Sequence, residues 1–111
     1  MSNVTRVAPL NSSIVQGFIS PSALGASIVV AAVTGMRIRV ISLALVTTAV
    51  NSVKFQSNAV DISALWPLGA NGGLVLPFNE HGWMTTAVGE ALNVNLSVAT
   101  ATGVHITYQV L

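Results

Sequence analysis

The chain has no cysteine, and its four Lys and Arg with three Asp and Glu make up only 6% of its 111 residues. Without cysteine there is no disulfide framework and no thiolate metal site to supplement the core, so stability must come from packing or from partners. An ordinary soluble domain is about 25% charged. A monomer of this mass exposes about 5,800 Å², which leaves roughly one charge per 800 Å². A standard interface takes about 800 Å² from each partner, so the two contacts of a closed trimer hide about a quarter of that surface. The charge deficit therefore predicts an obligate assembly, the alternative being a surface dressed in Ser, Thr and Asn. The basic residues, Arg6, Arg37, Arg39 and Lys54, are too few for the counterion release that nucleic-acid binding requires.

Long hydrophobic runs are also missing, although 52% of the residues are hydrophobic and the mean hydropathy is +0.75. The longest run, Ala23 to Val33, is about half of the roughly 20 residues a spanning helix needs, and Arg37 and Arg39 interrupt its continuation. No membrane partner is expected. Residues 1 to 6 lead into Pro9 and the polar Asn11-Ser12-Ser13 rather than an apolar segment with a cleavage site. The expectation is a protein made in the cytoplasm and used without export by the usual route.

Catalytic material is scarce. Asp61, Glu80, Glu90, His81 and His105 are the only acids, bases or metal ligands near neutral pH. Each His stands apart from the other, and adjacent Glu80 and His81 would point to opposite faces of a strand, converging only in a loop. No Cys nucleophile exists, no Ser stands beside a base, and no two acids show a readable spacing. Gly69 to Gly73 is glycine-rich but opens no helix and lacks a following Lys, so it reads as a turn and not as a phosphate cradle. An enzyme is not expected, nor a cofactor.

What the chain does have is alternation. Leu92, Val94, Leu96 and Val98 alternate with polar residues, and after residues 99 to 103 Val104, Ile106, Tyr108 and Val110 do the same. Period two, twice over, predicts two strands, read here as a β-hairpin. Upstream, Ser13 to Ile19 is a short strand stopped by Pro21, and β-branched Ala26 to Val33 suits a buried strand. Val50 to Gln56, Val60 to Trp66, Leu74 to Leu76 and Trp83 to Thr86 complete the series, with turn residues every 8 to 12 positions or so. The expected fold is all-β, a single-domain antiparallel sandwich or barrel of eight or nine short strands over residues 13 to 111. Residues 1 to 12 lack any period and read as an extended arm.

Met36 to Thr48 changes character midway. Arg37 and Arg39 alternate with Ile38 and Val40, but from Ile41 to Val46 both parities are apolar except at Ser42. Such a strand lies between two layers, either inside a sandwich with a bulge that switches faces or between a sheet and a neighbouring subunit. Because the charge count already asks for a neighbour, Ile41, Leu43, Leu45 and Val46 are the candidate subunit interface. Trp66 and Trp83 sit beside turns, where a ring is half buried and available either to the core or to a partner.

Three stretches carry a resemblance: Gly72-Gly73-Leu74-Val75-Leu76-Pro77-Phe78-Asn79-x-x-Gly82-Trp83; Thr86-Ala87-x-Gly89-Glu90-Ala91-Leu92-x-Val94-Asn95-Leu96-Ser97; and Gly103-Val104-x-Ile106-x-Tyr108. Together with Thr34-Gly35-x-Arg37-Ile38-Arg39-Val40 and Val53-Lys54-Phe55, they resemble small virion proteins from the structural modules of tailed bacteriophages. The resemblance covers roughly residues 30 to 111. It is similar to capsid decoration (cement) proteins, which implies a sandwich or jelly-roll-like subunit, a homotrimer, a major capsid protein as partner, and a place on the capsid exterior of the virion. It implies no catalytic residue. The arm, through Val4, Thr5, Arg6 and Val7, is then the candidate capsid contact. The alternative is a receptor- or glycan-binding module of a tail fibre or baseplate, with a pocket round Trp83, Asn79 and His81.

Overall fold

In the computed structural model, residues 14–111 are described and form ten strands in two antiparallel sheets packed face to face. The candidate arm, with Val4, Thr5, Arg6 and Val7, lies outside the described residues. In chain order the strands are β1 (Ile14–Ile19), β2 (Gly25–Val30), β3 (Ile38–Thr47), β4 (Asn51–Ser57), β5 (Val60–Asp61), β6 (Trp66–Leu68), β7 (Gly73–Leu76), β8 (Met84–Thr85), β9 (Leu92–Leu96) and β10 (Thr102–Val110). Sheet A has the order β1-β10-β3-β7 with β8 also on β3, and sheet B the order β2-β9-β4-β5 with β6 also on β4. Strands from opposite ends of the chain are neighbours, and the chain winds repeatedly between the layers, which makes the sandwich jelly-roll-like.

Ten strands stand where eight or nine were expected, because an apolar run does not show where its ladder breaks. The run from Val60 to Trp66 separates into β5 and β6. Pro67 sits inside β6, opposite Ser52. That strand pairs with β4 alone, so its other edge is open and the missing amide costs no ladder bond.

The alternation of residues 92 to 110 buries Leu92, Val94, Leu96, Val104 and Ile106 but leaves Tyr108 and Val110 half-buried and Val98 exposed, and the two strands are not a hairpin. Leu92, Val94 and Leu96 point from sheet B, and Val104 and Ile106 from sheet A, into one shared core. Their connection crosses from one layer to the other. Alternation reports which face is apolar, and two strands facing each other across a core satisfy it as well as two side by side. Val53, Phe55, Ile38, Val40, Leu43 and Leu45 complete the centre. The rings of Phe55 and Trp66 meet edge-on at 6.0 Å, so Trp66 belongs to the core. Each such side chain contributes roughly 1.5–3 kcal/mol through burial.

β3 resolves the ambiguity of its two apolar parities through a bulge. Against β10, Ser42 pairs with Thr107 and Val40 with Tyr108, which leaves Ile41 as the extra residue. The inward positions shift from Ile38 and Val40 to Leu43, Leu45 and Thr47. Thus a sandwich strand with a switch of face accounts for the pattern, and a neighbouring subunit is not needed to explain it. β2 also differs from expectation: it is an edge strand bonded only to β9, and Ile28 is 60% exposed.

Candidate interaction surface

The two outer faces of the sandwich are chemically opposite. On sheet A, register aligns Phe18 with His105, His105 with Ala44, and Ala44 with Val75 in a row across all four strands. All four side chains are exposed, Phe18 at 73% and Val75 at 71%, and Val46 on the adjacent row stands out at 54%. The Phe18 and His105 rings lie 5.8 Å apart, tilted by 30°. A shallow groove beside them is lined by Phe18, Ser20, Ala44, Val46, Gly103 and His105.

Glycine keeps that groove open. Val46 pairs with Gly103 on one side and Gly73 on the other. A Cβ on Gly73 would come within 2.5 Å of the Leu45 carbonyl oxygen, so the β3–β7 ladder closes only without one. At Gly103 a Cβ would meet nothing within 4 Å; its absence is felt as open space over the sheet.

The outer face of sheet B is a row of amides. Asn93 pairs with Gln56 and Gln56 with Asp61, while Asn95 pairs with Lys54. Asn95 Nδ2 donates to Gln56 Oε1 at 3.3 Å, Gln56 Nε2 to Asp61 Oδ1 at 2.9 Å, and Lys54 Nζ lies 3.2 Å from both Asp61 oxygens. The hydrogen bond from Gln56, then those and the charge of Lys54, hold the Asp61 carboxyl below its ordinary 3.8. Asn51, at the start of β4, is buried; its Oδ1 accepts from Ser97 N, Ser97 Oγ and Val98 N.

At the other end of sheet A, the segment between β7 and β8 folds back over β3. Asn79 N donates to Ile41 O at 2.9 Å and Trp83 N to Val40 O at 2.8 Å. Gly82, with φ of +83°, lets the turn close over the Arg39 stem: a Cβ there would meet Arg39 carbons. Within the loop, Trp83 Nε1 donates to Pro77 O at 2.7 Å and His81 N to Asn79 Oδ1 at 3.0 Å. The Trp83 indole N–H and the Asn79 side-chain oxygen, expected to line a pocket with His81, are thus engaged within the loop itself.

Of the candidate interface residues, Ile41, Leu43 and Leu45 are buried within the chain's own fold and only Val46 faces outward. The bulge is the reason: it directs Leu43 and Leu45 to the core. The ionisable residues are dispersed, Asp61 on sheet B, Glu90 bonded to Ser57, Glu80 and His81 in the loop, and His105 on sheet A. Among the described residues no three of His, Cys, Asp and Glu gather in one place. Phe18 and Val75 are the surface residues that sequence reading passed over. In β1 the one signal for the outward parity is Gln16, which lies on the side of Ile14 and Phe18, residues no less apolar than Val15 and Ile19.

No protein-family model matches the chain, and no curated protein is significantly similar to it.

Proposed function

We propose that this chain is a non-enzymatic structural subunit that acts by assembling. In the form its phage resemblance implies, it is a capsid decoration (cement) protein that binds the head exterior as a homotrimer and stabilises the shell. One observation carries the assembly reading: an exposed apolar row, Phe18, Ala44 and Val75 with His105, runs across β1, β10, β3 and β7, and neither the row nor its groove contains a charged side chain among the described residues. Exposed contiguous apolar surface marks an interaction site. The partners are copies of the chain and the major capsid protein, the latter met through residues 4 to 7 of the arm.

Stabilisation would be by mass action. A subunit that binds only the expanded lattice favours it by RT ln(1 + [L]/Kd), about 2.7 kcal/mol per site at a hundredfold excess over Kd. Electron micrographs of particles with and without the protein test this directly. Extra density on the head exterior and survival of heating that bursts undecorated heads are the expected results; bare heads at saturating protein refute the reading.

A glycan-binding module of a tail fibre or baseplate is the second reading. Asn93 and Asn95, half-buried on the outer face of sheet B, favour it, because side-chain amides match the donors and acceptors of a polyhydroxylated ligand. A glycan array decides, with Asn95→Ala expected to abolish any signal seen.

A further inference from the structure

We propose that the outer face of sheet A is where a second copy of this chain docks face to face, Phe18 of each copy seating over the Ala44 and Gly103 floor of the other. This deepens the assembly reading above and rests on it. The shape is that of a knob beside its own seat. Phe18 stands at the rim of the groove, 73% exposed, and the floor is made by residues with no side chain beyond Cβ. A patch carrying both knob and seat is self-complementary under a two-fold axis, where residue i meets j and j meets i.

Charge selects the occupant. The row and the groove contain no Asp, Glu, Lys or Arg. A partner with an ordinary surface, about 25% charged, would bury ionised groups here without counterparts. A second copy brings an equally uncharged face. The size of the face sets the strength. Four strands at about 4.8 Å, and some six residues of β10 at about 3.3 Å, give about 400 Å² in plane. That is half of the roughly 800 Å² each partner contributes to a standard interface. A contact of that size is weak and reversible, and being two-fold it is distinct from the three-fold contact that the homotrimer form would need.

His105 makes the contact sensitive to acid. Its neighbours on this face are Phe18 and Gln16 from β1, Ser42 and Ala44 from β3, and Gly103 and Thr107 on its own strand. None of these carries a charge. The charged group on the same face is Arg39, which pairs with Gln109 four residues along β10, about 13 Å away. Docking encloses two imidazoles with no carboxylate to receive a proton, so protonation opposes it.

Sedimentation velocity on the full chain tests the proposal, across micromolar concentrations at about pH 7.5 and about pH 5.5. The wild type should double its mass with concentration at the higher pH and associate about tenfold more weakly at the lower. Ala44→Glu should stay at the lower mass with unchanged circular dichroism and melting temperature. His105→Asn should associate at both pH values, while His81→Asn keeps the wild-type response and Leu65→Glu, on a different exposed apolar residue, keeps the wild-type mass. A wild-type mass independent of concentration, or an Ala44→Glu variant that associates normally, overturns the contact. Head binding separates this from the decoration reading: a chain that pairs through Ala44 but leaves heads bare removes decoration and keeps the contact.

Discussion

Alanine in place of Asn51 is expected to destabilise the fold by about 2 kcal/mol. Asn51 is only 2% exposed, and its Oδ1 accepts from Ser97 N at 3.1 Å, Ser97 Oγ at 3.0 Å and Val98 N at 3.1 Å, with Nδ2 donating to Val98 O at 3.4 Å. After truncation one of the three donors keeps a protein acceptor, and the exposed Ser97 hydroxyl turns its proton to water. Ser97 N still donates to Ser52 O at 3.0 Å, and Ser97 Oγ still accepts from Ser52 N at 2.9 Å. Val98 N–H loses the partner that anchors the turn leaving β9. An orphaned donor costs about 1–3 kcal/mol, and the lost Nδ2 bond adds a few tenths more. For a domain of this size 1 kcal/mol moves the midpoint by roughly 4–8 °C, so Asn51→Ala should melt about 8–16 °C below the wild type. Thermal unfolding followed by circular dichroism is sufficient. A loss below about 2 °C for alanine refutes the assignment of Oδ1 as the clip.

The parity of β3 can be tested by neighbouring substitutions: Leu45→Ala should cost about 2–5 kcal/mol and Val46→Thr less than about 0.5, so equal losses would mean the bulge is misplaced. Asp61 gives a pH prediction with a definite sign. Its carboxyl is held below 3.8 in the folded chain by Gln56 and Lys54, so its contribution is present above that value and is lost as pH falls through the folded one. Asp61→Asn should flatten the decline of melting temperature on the acid side of about pH 4, and an unchanged acid limb would show that the Gln56–Asp61–Lys54 chain is not maintained in solution.

Burial was legible in the sequence for β9 and the first half of β10, whereas Val98, past the end of β9, and Val60, beside Asp61, are exposed in spite of their alternation. Leu92, Val94, Leu96, Val104 and Ile106 are all buried, as their alternation requires. Pairing was not legible, since β10 takes Val15 and Leu45 no differently from a hairpin partner as far as its own side chains are concerned. Ile41 illustrates a second limit. An extra residue in a ladder looks the same in sequence as a strand apolar on both sides, and only the partner's register distinguishes them. The charge deficit could be counted, but the face on which it falls depends on four strands drawn from residues 14 to 110. Phe18, Ala44, Val75 and His105 share no local pattern that would have joined them.

Last of the ten in chain order, β10 lies between β1 and β3, with Gln109 opposite Ile14 and Thr102 opposite Thr47. On a ribosome adding about 5–20 residues per second, the residues of β1 therefore wait about 5–18 s before their one ladder partner is made. Through that interval sheet A has no middle, and the apolar sides of β1 and β3 stay uncovered by their neighbour. A nascent chain of this topology cannot complete sheet A until β10 has left the ribosome, whatever the stability of the finished sandwich.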